Sequence, residues 1–153
     1  MGYRVGVAEF LEKVCKLKKE QEKIEALQFN DSFVLRIILQ GAFDPNVKWL
    51  LPKGDPPYKA NNLVDQQNVL IRDARKLMYF VEGFYPGLNQ IKREAMFVEM
   101  LETLAPEDAK LLLAIKEKKL PWKGLDILII KKAFPDLIPE TAVEEKKVEQ
   151  VEA

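Results

Sequence analysis

Apolar residues recur every three or four positions along most of this 153-residue chain. Because an α-helix turns once in about 3.6 residues, that spacing places them on one helix face, with lysines and acids on the other. The first such segment carries Val7, Phe10, Leu11 and Val14. The pattern predicts about six to seven helices, in segments 5–16, 20–29, 33–42, 65–84, 89–104, 106–116 and 125–134.

Two of these segments are apolar on nearly every side, so either a helix or a strand would suit them. Segment 33–42 follows Asn-Asp-Ser at 30–32, whose side chains can accept hydrogen bonds from the free amides of a first helical turn. Arg36, Gln40 and the flanking helices favour a helix there over a strand. In segment 125–134 the β-branched isoleucines leave a strand as the alternative.

Residues 43–63 interrupt the helical pattern, because they contain four prolines and a glycine. They also contain Trp49, Leu51 and Tyr58, which a disordered linker would lack. We therefore predict an ordered loop that its aromatic residues pin to the core, with one helical turn at 47–51. Ordered loops of this length often carry function, whereas for Trp49 itself scaffolding is the simpler explanation.

Together these segments predict an all-α protein, with one compact domain at residues 1–139 and a flexible acidic tail at 140–153. The length suits a single core, and 48% hydrophobic with 31% charged residues is the balance of a globular chain. The 24 basic and 24 acidic residues cancel. Since the tail has five glutamates and two lysines, a net charge of −3, residues 1–139 carry +3 and are mildly basic.

The chain contains no histidine. This excludes Ser-His and Cys-His nucleophile pairs and histidine-based metal sites. The acids alternate with lysines at helical intervals, as on a solvated helix face. A hydrolase that uses carboxylates such as Glu94, Glu99 and Glu102 is therefore the weakest hypothesis. We predict a protein that is not an enzyme and that uses neither a metal nor a cofactor.

The single cysteine, Cys15, lies in an apolar stripe with Leu11, Val14 and Leu17, which predicts a packed core thiol rather than a reactive one. One cysteine cannot form an intramolecular disulfide, and this fits a reducing cytosol. No apolar run approaches the roughly 18 residues of a membrane span, and the first ten residues lack the features of a secretion signal. We expect a cytoplasmic protein without a membrane partner.

The most informative segment is a lysine-rich turn at 116–125, Lys-Glu-Lys-Lys-Leu-Pro-Trp-Lys-Gly-Leu, which leads into the last predicted helix. A glycine lets the backbone approach a ligand closely, and the amides of a helix N-terminus attract anions. Lysines nearby add attraction for phosphate without base specificity. The segment therefore suggests an anion site, although a solvated connection between helices has the same composition.

Residues 118–140 resemble the amino-terminal helical DNA-binding domain of ATP-dependent DNA ligases, especially those of bacteriophages. The shared features are a basic turn, a glycine, a helix and the ending Phe134-Pro-Asp-Leu-Ile-Pro-Glu140. Residues 16–59 are more weakly similar, with a charged helix, Asn-Asp, an apolar helix and a loop containing Trp and Pro. Residues 43–58, with Phe-Asp-Pro and Leu-Pro-Lys-Gly-Asp-Pro-Pro-Tyr, also resemble short stand-alone proteins of tailed phages.

In the ligases this domain grips the minor groove of nicked duplex DNA through backbone phosphates, by shape rather than by sequence. The resemblance implies phosphate contacts from Lys118, Lys119, Lys123, Gly124 and Leu125, with Lys131 and Lys132 as weaker candidates. The Lys-x-Asp-Gly motif whose lysine takes AMP in ligases does not occur here, so adenylation and nick sealing are excluded. Pro121 and Trp122 also depart from the ligase turn.

Two hypotheses about function follow. The first is a stand-alone phage accessory module, in the host-cell cytoplasm, that binds nicked or distorted duplex DNA without catalysis. The second is a protein-interaction module that modulates a replication, repair or host protein and has lost DNA binding. Its predicted surface comprises Trp49, Leu51, Pro56, Pro57 and Tyr58, together with the acidic tail. Salt should weaken DNA binding far more than binding through such a surface.

Overall fold

The computed structural model describes residues 6–61 and 68–138 of the protein. Within these residues the secondary structure is helical and contains no strand, which confirms the predicted all-α class. The elements are α1 (Val7–Lys16), α2 (Glu20–Phe29), α3 (Phe33–Phe43), α4 (Asn68–Asp73), a 3-10 helix (Ala74–Phe80), α5 (Gln90–Thr103), α6 (Pro106–Ile115) and α7 (Ile127–Ala133). The acidic tail predicted at 140–153 lies outside the described residues.

Helix α6 lies at the centre of the core. Its residues 111–115 are all buried, and it packs against α1, α3 and α5. A helical segment as apolar as residues 111–115 is stable only in the interior of a protein. On one side α7 packs against α2, and on the other the 3-10 helix packs against α3, α4 and α5. The lysine-rich turn therefore begins at the buried end of α6.

The predicted helix starts are confirmed by their capping groups. The Ser32 hydroxyl accepts a hydrogen bond from the amide of Leu35 at 3.2 Å, and the Asn89 side chain accepts one from Ile91 at 2.8 Å. These bonds satisfy amides that have no partner within the helix. Pro106 occupies the first turn of α6, where its missing amide costs nothing.

The two segments for which a strand was the alternative are both helices. In α7, Ile127 and Ile130 are buried, whereas Leu128 between them is 46% exposed. Burial at positions three apart follows the period of a helix, while a strand would bury every second residue. In α3 the same period buries Val34, Leu35 and Ile38. The isoleucines are therefore accommodated because tertiary packing outweighs their weak intrinsic helix propensity.

The helical turn predicted at 47–51 is wrong. The backbone there is extended, and Trp49 forms an isolated antiparallel bridge with Val81. The amide of Leu50 donates to the carbonyl oxygen of Phe80 at 2.7 Å. Because the pairing partner lies thirty residues further along the chain, the local sequence gives no sign of it. This pairing fixes the loop that follows α3 against the core.

The long helix predicted at 65–84 is also wrong in its second half. Helix α4 gives way to the 3-10 helix at Ala74, and regular structure ends at Phe80. A 3-10 helix has three residues per turn, so Ala74, Leu77 and Phe80 lie in one row, and all three are buried. The first residues of the prediction, 65–67, lie outside the described part of the chain.

A buried carboxylate joins α6 to the start of α1. Asp108 is 1% exposed, and its Oδ1 atom accepts a hydrogen bond from the amide of Ala8 at 3.0 Å. The residue before α1 is Gly6, which has no side chain to cap the helix, so Asp108 supplies that acceptor from a distance. Burial raises the pKa of Asp108 to about 6, against the opposing effect of the Ala8 amide.

The ending that resembles the ligase motif serves packing in this protein. Phe134, Leu137 and Ile138 are buried, and the guanidinium of Arg36 lies 5.0 Å from the centre of the Phe134 ring. A cation over an aromatic face is favourable. Residues 139–140 of the motif lie outside the described part of the chain. The described part of the motif therefore belongs to the core.

Candidate functional site

A cleft opens between the carboxyl end of α3, with the loop that follows it, and the turn between α6 and α7. Its volume is about 810 Å³, inside the range of roughly 300–1,000 Å³ that ligand pockets span. Two segments line it, residues 42–49 and residues 116–125. The described lining residues are Ala42, Phe43, Pro45, Val47, Lys48, Trp49, Lys116, Lys118, Lys119, Leu120, Trp122, Lys123, Gly124 and Leu125. We call this the lysine cleft.

The charged residues that line the lysine cleft are of one sign. Five of its lining residues are lysines and, among the residues that the structure describes, none of the lining residues is acidic. Lys48, Lys119 and Lys123 are exposed, and no acid within residues 6–61 and 68–138 forms an ion pair with them. Three ammonium groups at the cleft are thus available to an anion from solution.

Lys116, in contrast, is a structural residue. Its side chain is 2% exposed, and its Nζ atom donates to the carbonyl oxygens of Pro52 and Gly54 at 3.0 and 2.7 Å and to the Glu117 carboxylate at 2.6 Å. The hydrogen bond from Lys116 holds the pKa of Glu117 below its usual range, and the amide of Gly54 adds to this effect. Lys116 therefore pins the proline-rich loop to the end of α6.

Lys118 is also bound internally. Its Nζ atom donates to the carbonyl oxygens of Gly41, Asp44 and Val47 at 2.8, 2.6 and 2.9 Å. A cation at the carboxyl end of α3 satisfies carbonyls that lack partners within the helix and complements the helix dipole. Burial lowers the pKa of Lys118, while the charge of Asp44 opposes that shift. All three donors of this predicted phosphate ligand are committed, so it would add only charge to an anion site.

Gly124 is required for packing rather than for access to a ligand. Its φ angle is +126°, and a Cβ atom at this position would collide with the carbonyl oxygen of Cys15. Cys15 is buried at the end of α1, as predicted for a core thiol. The carbonyl oxygen of Gly124 accepts a hydrogen bond from Lys23 at 2.5 Å. The glycine therefore anchors the turn to α1 and α2, and Leu125 beside it is half-buried.

The amino terminus of α7 already holds an acidic side chain. Asp126 is the residue before the helix, and its carboxylate accepts a hydrogen bond from the amide of Ile129 at 2.9 Å. An approaching anion would meet this negative charge instead of free amides. The exposed lysines of the cleft, and not the amino terminus of α7, are therefore the groups that could bind an anion.

The two weaker candidates lie away from the cleft. Lys132 forms an ion pair with Glu20 at 2.6 Å, which joins α7 to α2. Lys131 is half-buried on the same helix. Neither lines the lysine cleft. The structure therefore brings together the candidates from Lys118 to Leu125 and separates Lys131 and Lys132 from them.

The predicted protein-interaction surface is divided between two places. Trp49 lines the lysine cleft. Leu51, Pro56 and Pro57 line a second groove against α5, with a volume of about 250 Å³, and Tyr58 is half-buried against the core. The loop thus contributes its tryptophan to the same cleft as the lysine-rich turn, and its prolines to a separate apolar groove.

Lys48 lines the candidate site but was not predicted to do so from the sequence. It lies in the loop that was noted for its aromatic residues and prolines, about seventy positions before the lysine-rich turn. It reaches the cleft because residues 48–50 pair with residues 80–82, and because Lys118 bonds to the loop carbonyls. The one local signal was its position next to Trp49, since lysines and aromatic residues together are typical of nucleic-acid surfaces.

Other kinds of site are not found among the described residues. No group of three or more His, Cys, Asp or Glu residues in 6–61 and 68–138 is placed to hold a metal ion. Over the same part of the chain, no helix is long and apolar enough to cross a membrane. The lysine cleft is therefore the strongest candidate site in the described structure.

Comparison with known proteins gives one match. A family model described as a family of unknown function (DUF6433) matches residues 10–121. The matched residues include Lys48 and Trp49 on one side of the cleft and Lys116 to Leu120 on the other. No curated protein and no solved structure matches the chain.

Proposed function

This chain belongs to a family of unknown function (DUF6433), and we propose that it binds the phosphate backbone of nicked or distorted duplex DNA through the lysine cleft, without catalysing a reaction. The observation that carries the proposal is the charge of that cleft. Five lysines line it, and none of the lining residues that the structure describes is acidic. Lysine ammonium groups attract phosphate oxygens regardless of the base sequence.

For the attraction of a phosphate, the charge around the cleft matters more than the net charge of the whole chain, which is zero. At physiological salt the Debye length is about 8 Å, so acids elsewhere on the surface are largely screened from a phosphate at the cleft. The acid closest in sequence to the exposed lysines of the turn is Glu117, whose carboxylate already bonds to Lys116 and to the amide of Gly54. Asp126 also lies near the turn, where its carboxylate caps α7. The five lysines of the cleft outnumber these two carboxylates, so an anion at the cleft meets a positive local field.

The arrangement of the turn also lowers the free-energy cost of binding a phosphate. Lys119 and Lys123 have no ion pair within the described residues that a phosphate would have to displace. The turn that carries them is fixed at both ends, by the bonds of Lys116 and Lys118 before it and by the packing of Gly124 behind it. A fixed turn has less backbone entropy to lose on binding.

The resemblance of residues 118–140 to the DNA-binding domain of ATP-dependent ligases supports the same choice, because that domain contacts duplex DNA through its backbone. No Lys-x-Asp-Gly motif is present, so the proposal is limited to binding. The protein would act as an accessory module that holds DNA or guides a partner enzyme to it.

The test is fluorescence anisotropy of a labelled nicked duplex, titrated with the protein at about 50 and 200 mM salt. Three lysine–phosphate contacts give a salt slope of about −2.7, so affinity should fall roughly forty-fold between these two conditions. The variant Lys119→Ala/Lys123→Ala should bind more weakly and show a slope smaller by about 2. Lys92 and Lys110 are exposed and lie outside the cleft, so Lys92→Ala/Lys110→Ala is the matched control and should bind like the wild type.

Two outcomes would contradict the proposal. Absence of binding at 50 mM salt would remove it and favour the protein-interaction alternative, for which the apolar groove of Leu51, Pro56 and Pro57 is the candidate surface. Equal losses in both double variants would show a diffuse attraction to the whole surface instead of a site at the cleft.

A further inference from the structure

The lysine cleft contains aromatic surface that binding to duplex phosphates does not use. Trp49 lines it from the segment after α3, and Trp122 lines it from the turn after α6. These are the only two tryptophans of the chain, and both are half-buried, which leaves part of each indole open. Both tryptophans thus share one cleft with the exposed residues Lys48, Lys119 and Lys123.

The Trp49 indole is held in place. Its Nε1 atom donates to the carbonyl oxygen of Gly41 at 3.0 Å. Gly41 packs so closely against the ring that a Cβ atom there would come within 2.5 Å of it. The ring therefore needs no rearrangement to present the part that faces the cleft. A pre-positioned aromatic ring loses little entropy when a flat ligand packs against it.

The remaining lining residues favour a flat, apolar group with a negative charge at its edge. Phe43, Pro45, Val47, Leu120 and Leu125 supply apolar surface between the tryptophans and the lysines. A nucleotide has this combination, because its base stacks on aromatic side chains while its phosphate pairs with lysines. In an intact duplex the bases are stacked on one another, so only an unpaired nucleotide could use the tryptophans.

We infer that the lysine cleft binds an unpaired nucleotide, such as one in a single-stranded gap or flap, with its base on Trp122 and Trp49 and its phosphates on Lys119 and Lys123. This inference rests on the proposed function and deepens it, because it specifies which DNA structure the cleft prefers. Duplex phosphates satisfy the lysines alone, whereas an unpaired nucleotide satisfies the lysines and the indoles.

The test compares three labelled DNA molecules of equal length at about 50 mM salt: a single-stranded oligothymidine, a duplex with a gap of a few nucleotides, and an intact duplex. The wild-type protein should bind the first two roughly ten-fold more tightly than the intact duplex. Intrinsic tryptophan fluorescence is a second readout, since both tryptophans line the cleft. Single-stranded DNA should quench it, and intact duplex should leave it nearly unchanged.

Two substitutions at the same position separate stacking from packing. Trp122→Leu removes the aromatic ring but keeps an apolar side chain, so it should lose the ten-fold preference while intact duplex still binds. Trp122→Phe keeps a ring and should retain most of the preference. Circular dichroism of both variants verifies that they fold. Trp122 is preferred to Trp49 because the hydrogen bond of Trp49 to Gly41 and its bridge to Val81 hold α3 and the following loop together.

The outcomes distinguish this inference from the proposed function. Equal affinity for all three DNA molecules, with no quenching and no effect of Trp122→Leu, would overturn the inference and leave backbone binding in place. A preference for single strands that Trp122→Leu retains would also overturn it, because the tryptophan would not be its source. No binding to any of the three would overturn the proposed function as well.

Discussion

The two halves of the lysine-rich turn use the same residue type in opposite ways. In the inner half, Lys116 and Lys118 each place three hydrogen bonds on groups of the protein itself. In the outer half, Lys119 and Lys123 are exposed at the cleft, and no ion pair within the described residues involves them. A lysine in a basic motif is therefore a candidate ligand for an anion only where no group of the protein already accepts hydrogen bonds from its ammonium group.

Burial explains the difference for Lys116, and contacts with backbone carbonyls explain it for Lys118. Residues 111–115 of α6 are buried, and Lys116, the first residue after the helix, is still buried. A charge in that position is stable only if polar groups of the protein satisfy it. Lys118, Lys119 and Lys123 are all exposed residues, and of these three Lys118 donates from its Nζ atom to three backbone carbonyl oxygens. The inner half holds the cleft together, and the outer half is available for binding.

The largest expected effect tests the structural role of the inner half. Lys116→Met should lower the free energy of unfolding by about 2–3 kcal/mol, because it removes a buried, charge-assisted set of hydrogen bonds. Lys123→Met is the matched control and should change stability by less than about 0.5 kcal/mol. Urea denaturation followed by circular dichroism measures both values. Equal effects of the two substitutions would remove the distinction between the two halves.

The next effect concerns Asp108, a buried carboxyl group with fewer hydrogen bonds than Lys116 has. Asp108 has a pKa raised to about 6 by burial, and its Oδ2 atom has no hydrogen-bond partner among the described residues. Because the unfolded carboxyl titrates near 3.8, the folded state keeps a proton that the unfolded state loses. The contribution of Asp108 to stability should therefore fall by about 2 kcal/mol as pH rises from 4 to 7.

Asp108→Asn isolates this contribution, because all other titrating groups are shared with the wild type. The difference in unfolding free energy between the variant and the wild type should rise in favour of the variant by about 2 kcal/mol over that pH range. Denaturant titrations at pH 4, 5, 6 and 7 measure it. A difference that stays constant with pH would show that the carboxyl titrates alike in both states.

A smaller effect distinguishes what the side chain of Lys118 contributes to stability from what its backbone conformation costs. Lys118 has a φ angle of +63°, a conformation that glycine adopts without strain. Lys118→Met should cost about 1–2 kcal/mol through the loss of three carbonyl hydrogen bonds. Lys118→Gly should be about 0.5–1 kcal/mol more stable than Lys118→Met, since it loses the same bonds but relieves the backbone. The reverse order in thermal or urea unfolding would contradict the observed conformation.

The smallest effect on stability belongs to the outer half. Lys119→Ala/Lys123→Ala should leave the free energy of unfolding within about 0.5 kcal/mol of the wild type, because exposed side chains without partners contribute little. The same variant should lose DNA affinity in the anisotropy experiment. Differential scanning calorimetry gives the stability, and a loss of several kcal/mol would mean that these lysines also hold the fold.

Most of the fold could be predicted from the sequence, because the signals for it are local. The 3.6-residue spacing and the start signal at Asn30-Asp31-Ser32 located most of the helices. The extended segment at Trp49 and the change to a 3-10 helix at Ala74 could not be predicted in this way. The extended segment depends on pairing between residues 48–50 and 80–82, and such long-range contacts leave no periodic pattern in either segment.

The site could be predicted only in part. The sequence indicated one of the two segments that line the cleft, because Lys118 to Leu125 lies there, and its contact with phosphate stays a prediction. The roles within that segment could not be read from composition, because contacts made only in the folded chain decide which lysine is available. Gly124 was expected to admit a ligand, yet it packs against Cys15. Lys48 was missed because only the folded chain brings it next to the turn.

The most direct test of the cleft as a binding site is lysine acetylation at low reagent concentration, measured residue by residue with mass spectrometry, with and without a nicked duplex. Lys119 and Lys123 should react in the free protein and become protected by DNA, whereas exposed Lys92 and Lys110 should react equally in both. Buried Lys116 should react slowly throughout. If DNA leaves Lys119 and Lys123 unprotected, or protects Lys92 and Lys110 to the same degree, the lysine cleft is not where this protein binds DNA.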